Sequence, residues 1–384
     1  MPRQIYLDYN ASTPVHPRVA EAMRTAAEAG YGNPSSTHWA GAPARKIVES
    51  SRAQVAALLG CAPQEIAFTS GGSEANNFAL KGAFYARRGP AHVITTQVEH
   101  PSVLAACAFL ERQGARVTRL PVDGTGMVDP ESMRRAITSE TVLVSVMHAN
   151  NEVGTIQPIK ECARIAKEHG ILFHTDAAQS VGKIATRVEE LGVDLLSIAG
   201  HKLYAPKGVG ALYVRAGTAL EPLVHGAGHE GGRRAGTESA LLVAGLGAAC
   251  HLAGDLGAME GVRQLRDRLW DSLQARFGDR VVLNGHLDQR LPNTLNIAFV
   301  GRVGAEILAA MPGVAASTGS ACHSGHVELS PVLAAMGVRP QVGMGAIRFS
   351  LGLATTEDEI DGVVGALWNF LRSRTIPVGG ASDP

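Results

Sequence analysis

The chain has 384 residues, 45% of them hydrophobic and 18% charged, which excludes a disordered chain and supplies apolar material for a large domain plus a smaller one. Its 35 Lys and Arg balance 35 Asp and Glu, so no basic field exists to hold a phosphate backbone or an anionic lipid surface, and neither nucleic acid nor a membrane is expected as partner. The five cysteines, Cys61, Cys107, Cys162, Cys250 and Cys322, are odd in number and contain no C-x-x-C pair, which argues against a disulfide frame and a zinc site.

In chain order, the N-terminal run through Tyr6-Leu-Asp-Tyr9 lacks the long apolar region of a signal peptide, so a soluble cytoplasmic protein is expected. Residues 42–59, closed by Gly60, read as an amphipathic helix. Residues 65–69, 92–96, 115–120, 141–147, 171–175, 194–198 and 210–214 read as strands. Between them 73–88, 101–113 and 159–169 supply helical crossovers long enough for parallel pairing, which predicts an α/β layered domain with a mostly parallel sheet. A long helical stretch from Glu238 follows; then 293–300, 314–317 and 346–351 read as strands and 356–373 as a closing helix, together a smaller α+β domain. The expected division is 12–255 for the large domain, with 1–11 and 256–384 forming the small one.

Several strand ends carry chemistry. Thr69-Ser-Gly-Gly-Ser-Glu74 stands between a strand and a helix, where backbone N–H groups and the Ser73 hydroxyl suit a phosphate or simply cap the helix. His100, in Gln97-Val-Glu-His-Pro101, can reach the same edge to stack on a planar group or move a proton, or can act as a cap. Asp176 and Gln179, in His174-Thr-Asp-Ala-Ala-Gln179, suit the ring nitrogen and phenolic oxygen of a pyridoxal ring, the alternative being an Asp that caps the next segment. Lys202, ending Ser197-Ile-Ala-Gly-His-Lys202, emerges beside apolar residues that would depress its pKa and leave an imine-forming amine; taken alone an ordinary surface lysine is the commoner reading, and it is the three strand-end signals together, for phosphate, ring nitrogen and aldehyde, that favour the imine. Cys322 lies in the small-residue run Ser317-Thr-Gly-Ser-Ala-Cys-His-Ser-Gly-His326, where an exposed thiol is expected; Cys322, His323 and His326 lack an obvious fourth ligand for a metal. Arg348 offers a planar fork for a carboxylate, or for a surface ion pair.

Taken together these residues resemble the cysteine desulfurase family of NifS and IscS type, within the class V group of fold-type I pyridoxal-phosphate enzymes. The likeness runs from Tyr6-Leu-Asp-Tyr-Asn-Ala-Ser-Thr-Pro14 through Gly32-Asn-Pro34, Glu99-His100, His148-Ala-Asn-Asn-Glu-Val-Gly154 and Gly200-His-Lys-Leu-Tyr-Ala-Pro-Lys-Gly208 to Arg234-Ala-Gly-Thr237, Ser320-Ala-Cys322 and Arg348. The resemblance implies pyridoxal 5'-phosphate as cofactor, with Lys202 as its Schiff-base lysine and Cα proton carrier and His100 stacked on the ring. It assigns Asp176 and Gln179 to the ring's polar atoms, Gly72, Ser73 and His201 to the phosphate, and Asn151 to a place beside ring and substrate. Thr237 would reach the phosphate from a partner subunit, which implies a homodimer. Arg348 would orient the carboxylate of L-cysteine. Cys322 would take the sulfur as a persulfide, releasing L-alanine, and pass it to an acceptor protein such as an iron–sulfur scaffold. Ala199 stands where many members carry serine. The Cys322 surroundings also resemble selenocysteine lyases, but Pro101 after His100 matches the NifS-like branch. A class V aminotransferase or a non-catalytic scaffold are the remaining alternatives.

Overall fold

The computed structural model describes residues 4–87, 89–318, 322–323 and 326–372. A two-residue strand, β1 (Ile5–Tyr6), precedes helices α1 (Pro17–Ala29) and α2 (Gly41–Leu59). Gly60 closes α2 in the left-handed region at φ 70°, its N–H reaching the Ala56 carbonyl, as the sequence predicts. There follow β2 (Ile66–Thr69), α3 (Gly72–Ala86), β3 (His92–Thr96), α4 (Pro101–Arg112), β4 (Arg116–Leu120) and α5 (Pro130–Ala136). Next come β5 (Thr141–Ser145), α6 (Ile159–Glu168), β6 (Leu172–Asp176), α7 (Val188–Leu191), β7 (Leu195–Ala199) and β8 (Gly210–Val214).

The seven strands β2 to β8 form one sheet in the order β2-β8-β7-β6-β5-β3-β4. From β7 to β4 every pairing is parallel, whereas β8 runs antiparallel to both β7 and β2. Strands β3, β5, β7 and β8 are buried along their whole length, because helices cover both faces. One face packs Val19, Val48, Val55, Ile165 and Leu246 from α1, α2, α6 and the following helix α8 (Ala240–Leu252). The other packs Phe78, Leu80, Val103 and Leu110 from α3 and α4. Since β8 alone is reversed, the carboxyl ends of β2, β3, β6 and β7 all open on one edge, the place where α/β sheets bind ligands.

The helical stretch expected from Glu238 is broken: α8 ends before Gly254, and α9 (Ala258–Phe277) starts after Gly257. Beyond it come β9 (Val281–Asn284), β10 (Thr294–Phe299), α10 (Gly304–Ala309), β11 (Val314–Ala315), β12 (Cys322–His323) and β13 (His326–Val327). The chain continues with α11 (Pro331–Ala335), α12 (Pro340–Gly343), β14 (Ala346–Ser350) and α13 (Glu357–Arg372). An antiparallel sheet in the order β14-β10-β9 carries its own apolar cluster, in which Ile5 and Leu7 join Leu269, Phe277, Ile347, Phe349 and Leu367. The short β9 escaped prediction because Val281-Val-Leu-Asn284 is no longer than many loops. The strand expected at 314–317 shrinks to β11 pairing parallel with β1, while Ser317 bridges instead to Arg348.

The edge strand β2 would leave backbone groups open on its free side. Instead Arg52 of α2 donates to the Ile66 carbonyl at 2.9 Å and to both Glu230 oxygens at 2.6 and 2.9 Å. Glu230 in turn accepts the Phe68 N–H at 2.9 Å. Glu230 is buried and sits at φ 52°, a left-handed conformation held by these bonds. Truncating it would leave the buried Arg52 guanidinium uncompensated. Glu230→Ala is therefore expected to lower stability by about 3–5 kcal/mol in urea denaturation, while Arg24→Ala, which removes only the exposed pairs to Glu21 and Glu28, leaves the urea midpoint essentially where it was.

Candidate active site

A cavity of about 490 Å³ opens at the carboxyl edge of the large sheet. Strand β7 delivers Lys202 to it through a single turn, Gly200–Lys202, in which a Cβ on Gly200 would stand 2.8 Å from the Val209 carbonyl oxygen; only glycine fits there. Among the described residues the Lys202 ammonium meets no carboxylate, and it donates to the carbonyls of Asn10 and Ala11 at 2.6 and 2.9 Å. Burial, with Arg348 adding to it and Asp176 and Asp8 opposing, pushes its pKa down to about 8.

Asp176, the last residue of β6, is buried on the cavity wall. Its Oδ1 accepts the Ala178 N–H at 2.9 Å and its Oδ2 accepts Asn76 Nδ2 at 2.7 Å. Asn76 also donates to the Ser102 hydroxyl at 2.8 Å, which lies 2.8 Å from His100 Nδ1. His100 is thus both the N-cap of α4, accepting the Ser102 N–H at 3.2 Å, and a cavity wall. Burial lowers its pKa, with Asp176 opposing and Lys202 reinforcing. Beside it Gln179 donates Nε2 to the Asn10 carbonyl at 3.0 Å and accepts Lys183 Nζ at 2.9 Å.

At the other end lie Gly71, Gly72 and Ser73, where the first-turn N–H groups of α3 have no partner one turn back. Gly72 packs so closely that a Cβ there would stand 3.1 Å from the Ala199 methyl. Glu74, also on this wall, is held by the Ser70 N–H at 2.9 Å and by Arg234 at 2.9 Å. His201 completes this end with Nδ1 at 3.4 Å from the Ser12 hydroxyl, and burial plus Lys202 and Lys207 push its pKa down to about 4.

Arg348 of β14 closes the third side, buried, donating to the Asn151 carbonyl at 2.9 Å and to Asp8 Oδ1 at 2.8 Å. Its Nε is buried without a partner. Asp8 Oδ1 also accepts the Ser317 hydroxyl at 2.9 Å, and Ser330 donates to Glu152 at 2.5 Å. The segment containing Cys322 is therefore fastened at both flanks beside Arg348 and Asn151. Cys322 opens β12, paired with Val327 in a short antiparallel ladder; the sequence had suggested a loop without strands. Its side chain, with those of His323 and His326, lies outside the described residues.

Of the residues singled out from sequence, Gly72, Ser73, His100, Asn151, Asp176, Gln179, His201, Lys202 and Arg348 all line this one cavity. Thr237 does not; it lines a smaller cleft of about 120 Å³ shared with Ser70, Gly208 and Val209. Cys61, Cys107, Cys162 and Cys250 are inert thiols, each pushed up to about 12 chiefly by burial. Among the described residues no group of His, Cys, Asp and Glu could hold a metal. Sequence reasoning missed Asn10, Asn76 and Lys183 as members of the site. Asn10 stood in the quoted run Leu7-Asp-Tyr-Asn10, but nothing local marks its role.

The family profile described as aminotransferase class-V matches residues 5–363. A curated relative from Dictyoglomus turgidum, named cysteine desulfurase IscS, is 47% identical over 382 residues, covering 98% of this chain and 97% of its own. A cysteine desulfurase of Trichormus azollae is 48% identical over 366 residues, covering 94% of this chain and 91% of its own. Among solved structures, a NifS-like protein superposes with a TM-score of 0.90 at 37% identity, covering 97% of this chain and 100% of its own. Another, solved as "SspA in complex with cysteine", superposes with a TM-score of 0.82 at 36% identity, covering 92% and 100%.

A Lys202 amine with a pKa of about 8 is largely protonated at pH 7 and becomes a free nucleophile as pH rises through that value. Labelling of Lys202 by an aldehyde, trapped with borohydride and read by peptide mass spectrometry, is expected to rise about tenfold between pH 7 and a plateau above pH 9. A rate still climbing at pH 10 contradicts the lowered pKa.

Proposed function

The chain belongs to the class-V aminotransferase family, and we propose that it is a cysteine desulfurase that binds pyridoxal 5'-phosphate and removes sulfur from L-cysteine. The observation that carries this reading is the placement of Lys202, Asp176, Gln179 and the α3 N-terminus around one cavity, each suited to a different part of that cofactor. The donor set fits the group. First-turn N–H groups, Ser73 and a neutral His201 suit a phosphate. A buried carboxylate at Asp176 suits a protonated ring nitrogen, and the Gln179 amide a phenolic oxygen. The weakly basic Lys202 suits the aldehyde.

When bound, pyridoxal 5'-phosphate supplies an aldehyde that links to an amino group and a ring that accepts electrons from the substrate Cα. Lys202 would hold that aldehyde, and its amine, when free, would move the proton at Cα. His100 and Asn151 would border the ring and the substrate. Arg348 orients the substrate carboxylate; its unpaired Nε is a donor available for this. The Cys322 thiolate attacks the substrate sulfur: the C–S bond breaks with its electron pair retained on carbon, an S–S bond forms, and carbon takes up a proton. The sum is L-cysteine plus the Cys322 thiol giving L-alanine plus the Cys322 persulfide, which passes to an acceptor protein such as an iron–sulfur scaffold.

The working assembly in this reading is a homodimer, Thr237 of one chain serving the phosphate of the other; its position outside the main cavity of its own chain supports that. The separate apolar cluster that gathers Ile5 and Leu7 with residues beyond 258 supports a small domain of 1–11 and 256–384 against a large domain of 12–255. No described helix is long and apolar enough to cross a membrane, in keeping with a cytoplasmic enzyme.

Cys322→Ala is expected to keep a yellow, borohydride-sensitive cofactor and to produce neither alanine nor sulfide from cysteine with a reductant; unchanged sulfide output sinks the persulfide mechanism in favour of another class V reaction. Lys202→Ala is expected to lose the borohydride-sensitive chromophore, and a Lys202→Ala protein identical to its parent supports the non-catalytic scaffold. Alanine formation measured with cysteine and selenocysteine side by side separates the desulfurase from a selenocysteine lyase, a strong preference for selenium overturning the sulfur assignment.

A further inference from the structure

Behind the wall of the cavity stands a second lysine to which the proposed reaction gives no part. Lys183 follows Gln179 by one turn and is 7% exposed. Its Nζ donates to Gln179 Oε1 at 2.9 Å and to Asn10 Oδ1 at 3.1 Å, both neutral amide oxygens. The charged groups acting on it are Lys202 and Arg348, both cations, and with burial they lower its pKa to about 7. Placing an amine there costs desolvation that no carboxylate repays, and an apolar side chain of similar length would serve packing better. The amine's distinctive contribution is its hydrogen bonds.

Those bonds select which end of each amide faces the cavity. An amide has one acceptor end and one donor end. With Lys183 on Oε1, Gln179 is left to present Nε2 at the cavity side, where it now meets the Asn10 carbonyl at 3.0 Å. Asn10 Oδ1, shared by Lys183 and by Asn293 Nδ2 at 3.0 Å, leaves its own Nδ2 to Thr294 at 2.8 Å. The same residue's main-chain carbonyl receives Lys202 Nζ.

We propose that Lys183 is a positioning residue that locks Gln179 with its N–H donor toward the cofactor's phenolic oxygen. The proposal rests on the pyridoxal phosphate reading given above. It is tested by titrating cofactor-free protein with pyridoxal 5'-phosphate, following the visible band, for wild type, Lys183→Met, Gln179→Ala and the double variant. Lys183→Met and Gln179→Ala are each expected to weaken binding by about tenfold, the worth of roughly one hydrogen bond. The double variant should be no weaker than the weaker single variant, because Lys183 acts through Gln179. Wild-type affinity in Lys183→Met, or losses that multiply in the double variant, overturns the proposal. Circular dichroism checks folding; should Lys183→Met not fold, Lys183→Gln, which keeps an N–H donor, is expected to bind within about threefold of wild type, and binding as weak as that of Gln179→Ala overturns the proposal. Failure of the wild-type protein to take up the cofactor would instead retire the pyridoxal phosphate reading, and this inference with it.

Discussion

Among the described residues Lys202 meets backbone carbonyls and no carboxylate, and the architecture of the site follows from that constraint. A buried ammonium paired with Asp or Glu would be held charged; Asn10 and Ala11 accept its hydrogen bonds but bring no negative charge, so burial, with Arg348 adding to it, prevails and its pKa falls to about 8. The carboxylates nearby are kept occupied elsewhere. Asp176 is engaged by Asn76 and the Ala178 N–H, Asp8 by Arg348 and Ser317. Glu99, fully enclosed and bonded only to Thr96 and the Met147 N–H, is pushed up to about 8 by burial with Asp176 adding to it, so it is mostly uncharged at neutral pH. The result is a cavity that keeps an amine nucleophile and a carboxylate apart within one wall.

Holding those carbonyls in place is the work of the N-terminal strap. The Leu7 N–H donates to the Ala315 carbonyl, the Tyr9 N–H to the Ser350 carbonyl and the Thr13 N–H to the His201 carbonyl, so residues 5–13 run from the small sheet to the Lys202 turn. Tyr204, at φ 66°, continues the link: its N–H reaches the Thr13 hydroxyl and its phenol accepts the Leu353 N–H. A displacement of the small sheet therefore reaches Lys202 through hydrogen bonds as well as through packing. Asn10 is the crossing point, bonded to Thr294, Asn293, Lys183, Gln179 and Lys202 at once.

The strand ends at Thr69, Asp176 and Ala199 were legible because β-branched runs, glycine turns and helix periods are local signals. Lys202 gained its meaning only from their sum, since its own neighbours specify little beyond a strand end. Asn10 and Lys183 were not legible, because their roles are made by contacts between residues 284 and 173 positions apart, respectively. Glu230 hides for the same reason: it sits in a glycine-rich run that suggests a functional loop, yet its carboxylate closes the edge of β2. The break between α8 and α9 was written in Gly254 and Gly257, but the surrounding helical pattern outweighed them.

The course of the Cys322 segment is constrained by its ends. Ser317 pairs with Arg348 through N–H to carbonyl bonds in both directions, at 3.2 and 2.7 Å, and Ser330 caps α11 while bonding to Glu152, next to Asn151. Cys322 lies five positions after Ser317 in the sequence, a contour of at most about 17 Å. The two flanks are thereby tied to each other: Arg348, paired with Ser317, donates to the Asn151 carbonyl, one residue from the Glu152 that holds Ser330.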